Sequence, residues 1–139
     1  MLIEGAVGPA DSDRMWAIRG HGMWVVEDRR SGRFLGRAGT CLALGWPGVE
    51  VAASIRRDRW GQGLGIEAIM AALDFGFTHP DVDELITATH QENAGMNMIA
   101  RKLGMTFHEI ADVGLWKANN VCAISRAGWT ASRPGETQS

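Results

Sequence analysis

The sequence predicts a mixed domain of the α/β or α+β class, built on one largely antiparallel sheet. Two observations carry this. The first apolar segments are joined by short turns, the signature of antiparallel hairpins. A helix–strand–helix run follows, and its crossover calls for a parallel pairing as well. Composition bounds the rest: 139 residues, 45% hydrophobic and 22% charged, suit one globular domain over 1–139.

Residues 1–22 read as a weakly structured start, because Gly5, Gly8, Pro9 and Asp11–Arg14 break any period, although Met15–Ile18 could end a short helix. MWVVED (23–28) is a strand, Arg30–Gly32 a turn and FLGRAGTCLAL (34–44) its antiparallel partner. A turn over Gly45–Gly48 leads into a third strand, VEVAASI (49–55). The loop RRDRWGQGLG (56–65) follows. Ile66, Ile69, Met70, Leu73 and Phe77 then recur at helical spacing, up to a stop near His79-Pro80. ELITATH (84–90) is a buried strand. Asn93–Leu103 is a second helix, with Gly104 as its C-terminal stop. MTFHEI (105–110) and NVCAIS (120–125) complete the sheet, and residues 130–139 read as a frayed tail.

Composition also excludes partners. Sixteen acidic against fourteen basic residues leave a net charge of −2, without the basic excess of a nucleic-acid or anionic-membrane binder. No apolar run approaches the ~20 residues that span a bilayer, and no export signal is visible at the start. Cys41 and Cys122 form no metal-type pair and read as reduced core thiols of a cytoplasmic protein. His21, His79, His90 and His108 lack zinc spacing, so no metal is expected.

Chemistry concentrates at 49–65. Gly61, Gly63 and Gly65 clear side chains where the backbone enters a helix, which aims several N–H groups at one point beside the positive helix end. That arrangement suits a pyrophosphate held by main chain, and Arg56, Arg57 and Arg59 add charge. The plainer alternative is a glycine-rich turn with solvated arginines. A dinucleotide fingerprint would need glycine in place of Ile66, and the Gly-Lys-Ser/Thr of a nucleotide P-loop is absent.

VEVAASIRRDRWGQGLGIEA, HQENAGMNMIARKLGMT and CAISRAGW together resemble the GNAT acetyltransferases, nearest the branch of ribosomal-protein alanine N-acetyltransferases. The resemblance covers about residues 23–129, and the family's Gln/Arg-x-x-Gly-x-Gly/Ala loop falls on Trp60–Gly65. It implies acetyl-coenzyme A in a cleft where two parallel strands splay. Ser54, Ile55 and Arg56 would then offer backbone to the pantetheine. Trp60, Gly61, Gln62, Gly63, Leu64 and Gly65 would cradle the pyrophosphate, and Asn93 would lie near the thioester arm. Family members carry a further strand and helices before the first strand read here. Their apparent absence leaves an edge for a partner, so a homodimer is expected.

For catalysis the resemblance offers Glu50 as a base on the acceptor amine, acting through water; the alternative is an outward-facing strand carboxylate. His90 is a minor alternative base, and Trp24 and Trp46 are candidates for an acceptor wall. Two departures stand out: Met96 occupies the place of a family serine, and the chain has no tyrosine to serve as general acid. Leaving as a thiolate instead of a thiol of pKa near 8.5 costs only roughly 2 kcal/mol at pH 7. Their loss therefore slows transfer without forbidding it. Neutralising a lysine at pH 7 costs roughly 4.6 kcal/mol, against about 1.4 for an α-amine. The expected activity is N-acetyl transfer to a primary amine, a peptide N-terminus or a small amine. The rival is a non-catalytic acyl-coenzyme A binding or interaction module.

Overall fold

The computed structural model describes residues 22–41, 48–113 and 116–132. Within them lie six strands in one sheet, three α-helices and a 3-10 turn at Arg57–Arg59. Strands β1 (Met23–Glu27) and β2 (Phe34–Cys41) form the first hairpin, and β3 (Glu50–Ile55) adds antiparallel to β2. Helix α1 (Leu64–Gly76) crosses to β4 (Glu84–His90), and α2 (Ala94–Lys102) precedes β5 (Thr106–Val113) and β6 (Trp116–Ser125). A last helix, α3, spans Arg126–Ser132. The sheet order is β1-β2-β3-β4-β6-β5, and only β3 and β4 run parallel. The expected mixed, mostly antiparallel sheet is present.

Alternation along β4 decides which face each residue serves. Leu85 joins the core under α1 with Val51, Ile69, Ala72 and Leu73, while Ile86 and Ala88 pack with Val121 and Ala123 on the other face. Ile69, Leu73 and Leu85 are fully buried, each contributing about 1.5–3 kcal/mol of apolar transfer. This packing fixes α1 over β2 and β3, and so fixes the loop at its start.

Element boundaries differ from the sequence reading most toward the C-terminal end. The last hairpin is longer than expected, because Asp112 organises its turn: its Oδ1 accepts the Ala118 N–H at 2.9 Å, with Ala118 at φ 54°. Residues 130–132 are not frayed but close α3, whose buried Trp129 donates its indole N–H to Asp74 Oδ1 at 2.9 Å. Seven residues containing Gly128 carry no apolar period long enough to announce a helix. Trp24 packs edge-on against Phe75, with centroids 5.6 Å apart, so it serves the core and not an acceptor wall. Trp46, His21, the 42–44 end of the second strand, the early helix and any front-end elements lie outside the described residues. Among the described residues, no helix is long and apolar enough to cross a membrane.

Candidate active site

The site begins where the sheet comes apart. Ile86 N–H bonds the Val49 carbonyl at 3.0 Å, and β3 and β4 share a single bridge, Glu50 with Ile86. In a regular parallel ladder the next donor, Ala88 N–H, would reach Val51. It instead donates to Glu50 Oε2 at 3.2 Å. The Glu50 side chain thus takes the place of a backbone acceptor and seals the point where the strands part. The Cys41 thiol donates to the other carboxyl oxygen at 3.5 Å.

Glu50 is 2% exposed, so the outward-facing alternative is excluded. Burial drives its pKa up to about 8, only partly offset by the Ala88 N–H and the Cys41 thiol. Burial, followed by the charge of Glu50, raises Cys41 as well. Folded protein therefore holds a proton on Glu50 that the unfolded chain releases near its ordinary 4.5. Between these values the native state binds more protons, so stability falls as pH rises from about 4.5 to about 8 and levels off above. Urea unfolding from pH 5 to 9 should show this loss in the wild type. The Glu50→Gln variant should lack it; parallel curves for the two proteins would refute the assignment.

Beyond the seam a cleft of about 600 Å³ opens between β3, β4, α1 and α2, a size typical of ligand pockets. Gly63, at φ 78°, caps α1 in the left-handed region, and Gly61 sits at φ 79°; glycine adopts both without strain. The first-turn amides of α1 thereby face the cleft without carbonyl partners from their own helix. Arg59 and Lys102 line the same cleft and supply positive charge. Arg59 is fastened on both sides: to Asp28 Oδ2 at 3.2 Å and to Gln62 Oε1 at 3.1 Å. The N–H groups of Ser31 and Arg30, then Arg59, hold Asp28 down at about 2, so this clasp stays charged throughout the working range.

The predicted residues divide. Glu50, Ile55, Trp60, Gly61, Gly63, Leu64, Gly65 and Asn93 all line the cleft. Ser54 and Arg56 do not. Arg56 N–H bonds the Leu35 carbonyl at 2.7 Å, and strand alternation turns the backbone of Ser54 toward β2 as well. The odd-numbered residues Val51, Ala53 and Ile55 present their backbone to the gap instead. Gln62 also misses the cleft and serves as a prop for Arg59. Trp60 donates its indole N–H to the Ile55 carbonyl at 2.7 Å and lies beneath Arg57, tying the loop to the end of β3. Asn93 caps α2, its Oδ1 accepting Met96 N–H at 3.1 Å. His90 lies outside the cleft, and its Nδ1 accepts the Glu92 N–H. Among the described residues, no cluster of side chains could hold a metal ion.

Sequence reasoning missed Asp28, Cys41, Thr87 and Thr89. The two threonines are 1% and 3% exposed and line the cleft; the Thr89 hydroxyl has no hydrogen-bond partner, and that of Thr87 has only the Cys122 thiol opposite it. A buried hydroxyl without a partner costs about 1–3 kcal/mol unless something fills the cleft and bonds it. Their signal was present: in ELITATH the two threonines fall at the alternate positions that share a face with Leu85.

The chain belongs to the acetyltransferase (GNAT) domain family, whose model matches residues 7–106. It is 30% identical over 93 residues to the uncharacterized protein YkkB of Bacillus subtilis, a match covering 64% of this chain and 54% of that protein. The chain thus spans about half the length of that curated relative. Solved structures share the fold. An acetyltransferase from Agrobacterium tumefaciens superposes with a TM-score of 0.74 at 20% identity, over 83% of this chain and 67% of its own. A ribosomal-protein-S5-alanine acetyltransferase from Vibrio fischeri gives 0.68 at 15%, over 84% and 68%. The protein yncA of Salmonella typhimurium, solved with its cofactor acetyl-CoA, gives 0.64 at 16%, over 81% and 68%.

Proposed function

We propose that the chain transfers an acetyl group from acetyl-coenzyme A to a primary amine, with Glu50 as the base. The observation that carries this is a carboxyl group buried at the strand seam, lining a cleft whose far end is an anion cradle. The first-turn amides of α1, with Arg59 and Lys102 beside them, suit the pyrophosphate. The backbone edge at Ala53 and the Ile55 N–H suit the pantetheine amides. Bound there, the co-substrate supplies an activated acyl carbon, and Glu50 removes the proton from the incoming nitrogen. One C–N bond forms as one C–S bond breaks.

Proton affinity favours an α-amine over a lysine. An α-ammonium of pKa near 8 passes its proton to a carboxylate of about 8 with little cost. A lysine near 10.4 pays roughly 3 kcal/mol for the same step. Paired peptides offering one α-amine or one ε-amine should therefore differ by about 100-fold in kcat/KM. Preference for the ε-amine would reject this acceptor class.

Calorimetric titration tests the cleft itself. Acetyl-coenzyme A and desulfo-coenzyme A should bind and ATP should not; the reverse would remove the cofactor from the proposal. The placement of a carboxyl group in the seam favours catalysis over the interaction-module reading, which has no use for it. We further propose a cytoplasmic homodimer, in keeping with the free thiols of Cys41 and Cys122 and with exposed Phe107 and Ile110 on the edge strand β5. Sedimentation at micromolar concentration should give twice the chain mass, and a monomer would contradict the dimer.

A further inference from the structure

We infer that Thr89 is a catalytic residue whose hydroxyl donates a hydrogen bond to the departing sulfur. This rests on the acetyl-transfer reading and deepens it. Transfer ends with a thiolate in a cleft that holds few donors able to meet it. The chain contains no tyrosine, and Met96 offers a thioether, which cannot donate. Asn93 lends only its oxygen to the α2 cap and keeps its amide N–H groups as the other uncharged donor, whereas Trp60 spends its N–H on the Ile55 carbonyl. Among the described residues lining the cleft, the hydroxyls are those of Thr87 and Thr89, both buried; Thr87 meets the Cys122 thiol, and Thr89 has no hydrogen-bond partner.

Position separates the two. Thr87 stands opposite Cys122, beside the stretch where β4 is still bonded to β3. Thr89 lies one residue past Ala88, the residue whose N–H holds Glu50, on the side where the strands have parted and toward Asn93 and Met96. Its cross-strand neighbour Asn120 donates to Asn97 Oδ1 at 3.2 Å. Thr89 thus has a donor in reserve within a residue of the seam. By alternation its side chain leaves β4 on the α1 face, opposite to the face that Glu50 shares with Ile86. Base and sulfur donor then approach the reacting carbon from opposite sides of the sheet. The proton balance closes: the amine proton goes to Glu50, the C–S electron pair goes to sulfur, and solvent protonates the thiolate on release. Thr89 keeps its proton and stabilises the charge as it forms.

Three variants test this. Thr89→Val keeps shape and β propensity while removing the donor, Thr89→Ser restores it, and Thr87→Val is the comparison. Thr89→Val should lower kcat roughly 10- to 100-fold with acetyl-coenzyme A affinity held within about threefold, Thr89→Ser should recover most of kcat, and Thr87→Val should lose little. Unchanged kcat in Thr89→Val, or equal weakening toward coenzyme A and desulfo-coenzyme A, would overturn the assignment. A second readout needs no turnover: the thiolate absorbance of bound coenzyme A, followed with pH, should titrate at higher pH in Thr89→Val than in wild type. Coincident titrations overturn the role of Thr89. A wild type that binds coenzyme A but acetylates no amine sinks the transferase reading instead, while the thiol titration still decides Thr89.

Discussion

Glu50→Gln is expected to lower kcat/KM by roughly 10²- to 10⁴-fold while leaving acetyl-coenzyme A affinity within about threefold. Glutamine keeps an oxygen for the Ala88 N–H, so the seam stays closed and only the proton acceptor is lost. The wild-type pH profile should rise to an apparent midpoint near 8, set by the buried carboxyl, and the residual activity of the variant should not follow that curve. If the variant kept its activity, water alone would be deprotonating the amine and Glu50 would be a structural seam. Equal losses of binding and turnover would mean that the strands had moved.

Arg126→Met is expected to have the largest effect on stability. The Arg126 guanidinium reaches three carbonyls in the turn after α1, donating to Phe77, to His79 at 2.8 Å and to Val82. It also covers the face of Phe77, its carbon 5.5 Å from the ring centroid. Methionine fills similar volume but leaves three acceptors without their donor, at a cost of about 3 kcal/mol after partial hydration. For a chain of this length that lowers the melting temperature by about 10 °C. Arg126→Lys should recover under half, since one ammonium cannot serve a planar fork. A change below about 2 °C would show that water satisfies these carbonyls equally well.

The arginine clamp also marks where sequence reasoning stops. Strands such as ELITATH and helices such as 94–102 are local facts, legible from period, caps and glycine stops. The glycine loop is legible too, because its conformation is written in residues that tolerate positive φ. What Arg126 does depends on carbonyls 44 to 49 residues away, and no periodicity encodes such a contact. The same holds for Asp28 and Arg59, which meet across 31 residues. Ser54 and Arg56 fail for a subtler reason. Their neighbourhood was right, but which backbone groups face the gap depends on pairing parity with β2, and parity needs the register. Glu50 was singled out by resemblance; its burial, and hence its proton affinity, came only with the fold.

The single bridge between β3 and β4 has a dynamical consequence. Strands β1–β3 form a three-stranded meander, and β4, β6 and β5, in that spatial order, form a second antiparallel unit, each continuously hydrogen-bonded within itself. Main-chain bonding between them is confined to one point, so opening along that line breaks few bonds and leaves each half intact. Amide exchange should register this as two cooperative units, with the Ala88 N–H among the earliest interior sites to exchange. A ligand bridging the gap bonds both halves at once and turns two loosely joined units into one. Occupancy of the cleft would then be readable as slower exchange in strands that the ligand never touches.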